Sequence, residues 1–312
     1  MFLTKQWMAI AAGGVISALL YALVTHGSIG GILLAYFCQL PLFVIGLSLG
    51  TTASVIAGAI AAAGIIAVSG VLGAFIFFLL NAAPVVLLVR QGLLSRTDAH
   101  ANIEWYPPGQ LIVGASLYGI GLLFVAWLWL SFATSGFEES VHAYLAEATS
   151  TILEGQPVEI QQKIIANLVL ILPGTVALSW LVMLVVNGVL GQGLVSRFKR
   201  NLRPSPDFAM LELPNWLSIL GAVLLIGATL LPGSLGYLAK NAAFIMALPF
   251  FLVGLSVIHV AARRLSAGML LLVLFYILMM LFGWPVILVA FLGLIEQRAG
   301  FRQKWMVASK EE

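Results

Sequence analysis

Long apolar runs, broken at intervals by short polar or glycine- and proline-bearing segments, dominate this chain. They fall at about 7–25, 32–49, 52–69, 71–89, 110–133, 165–195, 216–231 and 241–261. Most approach the ~20 residues that a helix needs to cross a hydrocarbon core of ~30 Å. The stretch from 52 to 89 is too long for one crossing, and Gly70 is its predicted break. A final block, 266–296, is long for one helix and is interrupted at Phe282-Gly283-Trp284-Pro285, where proline removes a rung of the helical hydrogen-bond ladder. It reads as two short segments, about 266–281 and 284–297. The prediction is an all-α, polytopic transmembrane helical bundle of about 8–10 membrane segments, forming a single integral membrane domain over 1–312. Lys5 precedes the first run and no small-x-small cleavage site follows it, so this run is expected to stay as a first helix.

Two segments outside the runs predict structure of their own. Val141, Tyr144, Leu145, Ala148 and Ile152 are spaced as one face of a helix. Glu138 and Glu139 suit its N-terminus, and Gly155 with Pro157 its stop. An outer amphipathic helix is therefore expected at about 138–155. Phe208, Leu211, Leu213 and Trp216 around Pro214 read as an interfacial entry into the next span from an inner basic loop at about 196–215.

Charge orients these runs. The chain has 15 Lys and Arg and 12 Asp and Glu among 312 residues, far below the quarter that a soluble domain carries. Basic residues cluster at Arg90/Arg96, at Arg197/Lys199/Arg200/Arg203, at Arg263/Arg264 and at Arg298/Arg302/Lys304/Lys310. The loop 137–163 instead carries Glu138, Glu139, Glu147, Glu154 and Glu159 against one Lys. The positive-inside rule puts the basic loops and the N-terminus in the cytoplasm and the Glu-rich loop outside. The basic tail returns to the cytoplasm only if the last block crosses twice, which favours ten segments. Such basic clusters meet anionic headgroups rather than nucleic acid.

Candidate chemistry is sparse. The spans hold essentially no ionisable residue, which disfavours proton-driven antiport, whose transported charge needs a partner in the membrane. The histidines are scattered, and no His-Glu-x-x-His, phosphate loop or Gly-x-Ser-x-Gly elbow is present. No enzyme activity, cofactor or metal is expected. What remains is uncharged: Gln39, Asn81, Asn167, Ser179, Asn187 and His259 lie in or near spans, where such groups ordinarily bond neighbouring helices at ~0.6–2 kcal/mol. Asn81 stands out because Pro84, three residues on, leaves a backbone carbonyl one turn earlier without its donor. Gln39, Asn81, Pro84 and Asn187 are the candidate substrate-binding residues. Small residues at four-residue spacing, Ala18 with Ala22 and Ala53, Ala57 and Ala61, permit close helix approach. Ala18, Ala22, Ala57 and Ala61 are the candidate partner-docking residues.

Three motifs in order carry a resemblance: Trp105-Tyr106-Pro107-Pro108-Gly109, then Leu211-Glu212-Leu213-Pro214-Asn215-Trp216-Leu217, then Leu292-Gly293-Leu294-Ile295-Glu296-Gln297-Arg298 with Phe301-Arg302. Together the chain resembles the DUF2232 (YybS-like) family of bacterial membrane proteins. The resemblance implies a bacterial cytoplasmic (inner) membrane location and a bundle similar in part to the substrate-binding S components of energy-coupling-factor vitamin transporters. It implies docking through the early helix around Ala18 and Ala22.

Two functions follow as expectations. One is a solute-binding transport component for a small neutral or amphiphilic solute, lacking its own nucleotide-binding loop and needing energising subunits as partners. The other is a non-transporting scaffold or assembly protein that holds another membrane protein and lipids.

Overall fold

The computed structural model describes residues 2–26, 28–134 and 136–308; Lys310 lies outside them. It is helical almost throughout. The helices are α1 (Phe2–Ala22), α2 (Ile29–Ala35), α3 (Leu40–Leu49), α4 (Thr51–Phe77), α5 (Ala83–Gly92), α6 (Pro108–Ala133), α7 (Phe137–Thr149), α8 (Val158–Arg197), α9 (Trp216–Leu230), α10 (Gly233–Ala262), α11 (Gly268–Phe282), α12 (Pro285–Ala299) and α13 (Phe301–Ala308). A short antiparallel ladder, β1 (Ser95–Thr97) with β2 (Ile103–Trp105), joins α5 to α6. The chain divides into two compact units: 1–115 with 182–206, and 116–181 with 207–312.

In the first unit the predicted break at Gly70 is a reversal. Gly70 has φ 70° and ψ −177°, a conformation open to glycine and costly to other residues. A continuous helix would put Gly58 and Ala82 ~36 Å apart at 1.5 Å per residue. Instead a Cβ built on Gly58 would lie 3.3 Å from that of Ala82. The segment 51–92 is therefore a helical hairpin, as the two runs 52–69 and 71–89 anticipate. Its second arm loosens into a π-helical turn at Phe78–Ala82 before α5.

In the second unit, α10 is the axis. Gly254 on α10 abuts the Val289 carbonyl, and Gly293 on α12 abuts the Phe250 carbonyl, so the two backbones touch where each helix lacks a side chain. The last apolar block breaks at Gly283, which has φ 66°, with Pro285 opening α12. Its halves, α11 and α12, match the two segments expected. α11 leaves the end of α10, and α12 brings the chain back: Arg302, just beyond α12, donates to Ser256 near the C-terminal end of α10. Each half has 15 residues and extends only ~22 Å.

The amphipathic helix is shorter than expected. α7 ends at Thr149, where Thr149 Oγ1 bonds the Leu145 carbonyl and Ser150 Oγ that of Glu147, side-chain competition that weakens a helix end. Its buried residues are Phe137 and Leu145, whereas Tyr144, Ala148 and Ile152 are exposed. Phe137, Val141 and Leu145 follow one another at four-residue steps, so the inner face lies on that row.

Among the described residues, five helical runs are able by length and composition to cross a membrane: Ile29–Leu49, Thr51–Gly92, Pro108–Ala133, Val158–Arg197 and Gly233–Ala262.

Candidate functional site

The first unit contains two helix breaks stitched together by side-chain amides. Between α2 and α3 the ladder tightens to bonds three residues apart, with Phe37 N–H to Leu34 O, Cys38 N–H to Ala35 O and Leu40 N–H to Phe37 O, each 3.0 Å. Opposite lies the π-turn. Pro84 carries no N–H for the carbonyl of Leu80, the helical acceptor four residues before it. Gln39 supplies the missing donor: its Nε2 bonds Leu80 O at 3.1 Å and Asn81 Oδ1 at 3.2 Å. Cys38 Sγ also donates to Asn81 Oδ1 at 3.2 Å. Ser17 Oγ on α1 bonds the Cys38 carbonyl at 2.6 Å. Asn187 Nδ2 on α8 bonds Tyr36 O at 2.7 Å and Met183 O at 2.8 Å.

Gln39 and Asn81 therefore meet at the π-turn that precedes Pro84, while Asn187 is tied to the α2–α3 turn at Tyr36, three residues before Gln39. Gln39 is fully buried and Asn187 is 1% exposed. Their carbonyl oxygens, Gln39 Oε1 and Asn187 Oδ1, are buried and have no hydrogen-bond partner. Ser17 and Cys38 add to these bonds. Neither is a candidate binding residue by sequence, because a lone hydroxyl and a lone thiol carry no pattern. The only available signal was the adjacency of Cys38 and Gln39.

Beside the π-turn, the two arms of the Gly70 hairpin enclose a groove of about 350 Å³ lined by Val55, Gly58, Ala59, Ala62, Phe78, Ala82, Ala83, Val86 and Leu87. Every lining residue is apolar or glycine. Asn81 is not among them.

The small-residue stripe is consumed inside the chain. Ala57 and Ala61 have no exposed surface, and Gly14 on α1 sits so close that an added Cβ would lie 2.6 Å from the Ala57 carbonyl. Gly64 faces Ala18 in the same seam. Ala18 and Ala22 are half-buried. The docking role expected of Ala57 and Ala61 is corrected accordingly: packing of α1 on α4 leaves them nothing to offer a partner.

The same proline device recurs in the second unit. Pro173 lies inside α8, and Tyr237 Oη donates to Val169 O, four residues before it, at 2.6 Å. Asn241 meets the same stretch of α8, accepting from Gly174 N–H at 2.7 Å and donating to Tyr237 O at 2.9 Å. Asn167 is exposed. His259 is held by Leu255 O at 2.8 Å and Tyr276 Oη at 3.3 Å.

Two arginines counted as loop charge are buried anchors. Arg302, 6% exposed, pairs with Glu296 at 2.9 Å. Its other nitrogens bond Ala209 O, Ser256 Oγ and Leu211 O at 2.8–3.0 Å. The Glu296 carboxylate also accepts from the Phe301 and Arg302 amides, which favours a negative group at the start of α13. Gln297 Nε2 bonds Leu213 O and Pro214 O, and Gln303 bonds Glu212. In the first unit Arg203, also 6% exposed, bonds Gly92 O and Tyr106 O at 2.9 Å and lies 6.0 Å over the Trp105 ring. Burial pulls its guanidinium below its ordinary pKa. Gly92 ends α5, so the charge faces the negative pole of that helix.

The three sequence motifs thus have structural roles. Trp105-Tyr106 holds Arg203, and the segment 211–217 is clamped by Gln297, Arg302 and Gln303. Long apolar helices, proline breaks relieved by side chains and charges confined to helix ends define a polytopic α-helical membrane protein. The chain belongs to the DUF2232 family, described as predicted membrane proteins, whose family model matches residues 15–296. No curated protein and no solved structure matches it.

Proposed function

We propose that this protein is a solute-binding component of a membrane transport system for a small neutral or amphiphilic solute, driven by an energising partner. The observation that carries this reading is the pair of facing helix breaks at 36–39 and 78–82. Discontinuous helices are the recurrent means by which membrane proteins expose polar backbone to a solute within the bilayer. The groove in the Gly70 hairpin supplies an apolar wall beside the amides, at the lower end of ligand-pocket volumes. An amphiphile matches that pairing of surfaces. The membrane is the bacterial inner membrane, with both termini cytoplasmic by loop charge.

Native mass spectrometry of the protein released from nanodiscs tests this. The expected result is one reproducible small molecule on the wild type and its loss from Ala62→Phe, which fills the groove, while Ala63→Phe on the exposed side retains it. Bulk lipid alone on the wild type, with a co-purifying membrane protein, overturns transport in favour of the scaffold.

A further inference from the structure

We propose that the groove between the arms of the Gly70 hairpin holds one acyl chain of a phospholipid whose anionic headgroup is met by Arg90. This rests on the transport reading above and names the class of its amphiphile. Along the first arm the lining runs from Val55 to Ala62, and along the second from Phe78 to Leu87, a length of ~11–14 Å at 1.5 Å per residue. That is close to half of a ~30 Å hydrocarbon core, the depth of a single leaflet. Val55, Phe78 and Leu87 are exposed, so the groove opens toward the bilayer. Its wholly apolar lining offers a polar solute no hydrogen bond, whereas a hydrocarbon chain needs only close contact with small and aliphatic side chains.

Every lipid has tails, so selection falls to the charged end of the groove. Val86 and Leu87 line it, and Arg90 follows four and three residues later on the same helix face. Arg90 is exposed and, among the described residues, has no acidic partner. Val55 lines the groove one turn after Thr51, the first residue of α4, so the start of α4 lies at this end as well and adds its positive pole. The basic loop is tied to the same end, because the Leu202 amide bonds the Leu47 carbonyl at 3.1 Å, four residues before α4 begins; Lys199 and Arg200 in that loop are exposed. Neither 40–92 nor 182–206 contains an Asp or Glu. This end of the unit is therefore positive without internal compensation. An anionic headgroup balances it, whereas a zwitterionic one adds a further cation.

The test is native mass spectrometry of the purified full chain in detergent, given equal amounts of dioleoyl phosphatidylglycerol and dioleoyl phosphatidylcholine, whose tails are identical. The expected result is one phosphatidylglycerol retained in preference to phosphatidylcholine, with no competition from glycerol phosphate, which lacks a tail. Ala62→Phe removes the bound lipid. Arg90→Gln lowers the preference about fivefold, the worth of one basic side chain beside an anionic headgroup. Arg96→Gln, whose guanidinium is already paired with Glu104, leaves it unchanged. Equal retention of the two lipids by the wild type overturns the proposal whether or not any variant folds. Competition by glycerol phosphate overturns it in favour of a free phosphate ligand. A neutral amphiphile lost from Ala62→Phe, in place of the phospholipid, leaves the transport reading standing and removes this one. A selectively held phosphatidylglycerol on a protein that co-purifies with a scaffolded partner and no energising subunit does the reverse.

Discussion

Single residues in this protein spend their polarity on backbone that proline or a helix break has left unpaired. Gln39 answers Pro84 through Leu80 O, and Tyr237 answers Pro173 through Val169 O. Gln39→Leu is expected to cost about 1–3 kcal/mol by removing its buried N–H donor to Leu80 O and Asn81 Oδ1. The loss should shrink in the Pro84→Ala background, where the helix regains its own donor; equal losses in both backgrounds, read by thermal unfolding in detergent, would refute the assignment. The Glu296–Arg302 pair has side chains 2% and 8% exposed. Removing either partner alone, by Glu296→Leu or Arg302→Met, should cost about 3–5 kcal/mol, because the other charge is left buried and unmatched. The double variant should recover part of that, and strict additivity of the two single effects would argue against the pairing.

At the scale of elements, the hairpin of 51–92 turns on one residue. Gly70→Ala forces a side chain into a backbone region reserved for glycine and should cost about 1–3 kcal/mol. Neighbouring Ser69→Ala serves as a control with little effect on Tm. The β1–β2 turn has a titratable clasp. Asp98 accepts from the Asn102 amide at 2.8 Å, the Asn102 side chain at 3.1 Å and the His100 amide at 2.8 Å. Those bonds, the Asn102 backbone bond foremost, hold its carboxyl below the ordinary aspartate range. A depressed folded pKa contributes stability that is present above the unfolded value and is lost as pH falls through the folded one. Protection factors of the His100 and Asn102 amides, corrected for intrinsic exchange, should therefore persist at neutral pH and fall only below ordinary aspartate titration. Unchanged protection across that window would show the clasp to be idle.

For the whole molecule, the prediction concerns membrane topology. α11 and α12 run out and back, so the chain after α12 returns to the level of the C-terminal end of α10. Reporters fused after Lys304 and within the loop 150–157 should therefore lie on opposite sides of the membrane, the first cytoplasmic. Finding both on one side would overturn the ten-segment topology. The short helices are the delicate part of this scheme, since ~22 Å falls short of a ~30 Å core and requires local thinning or tilt-free seating.

Apolar run length, loop charge, glycine and proline determined a great deal without tertiary information. They specified a helical membrane protein, the reversal at Gly70, the break at Gly283-Trp284-Pro285 and the helical donor missing at Pro84, because each follows from local backbone chemistry. They also singled out Gln39, Asn81 and Asn187 as polar groups in apolar surroundings, though not the turns that each of them ties. Only the tertiary structure decided which partner relieves each broken ladder, since Leu80 lies 41 residues from Gln39 and Tyr36 lies 151 from Asn187. It likewise turned Arg203 and Arg302 from loop charges into buried anchors and spent Ala57 and Ala61 on α1. Charge and size in a sequence state what a side chain is able to do, while burial and partners depend on which distant segment folds against it.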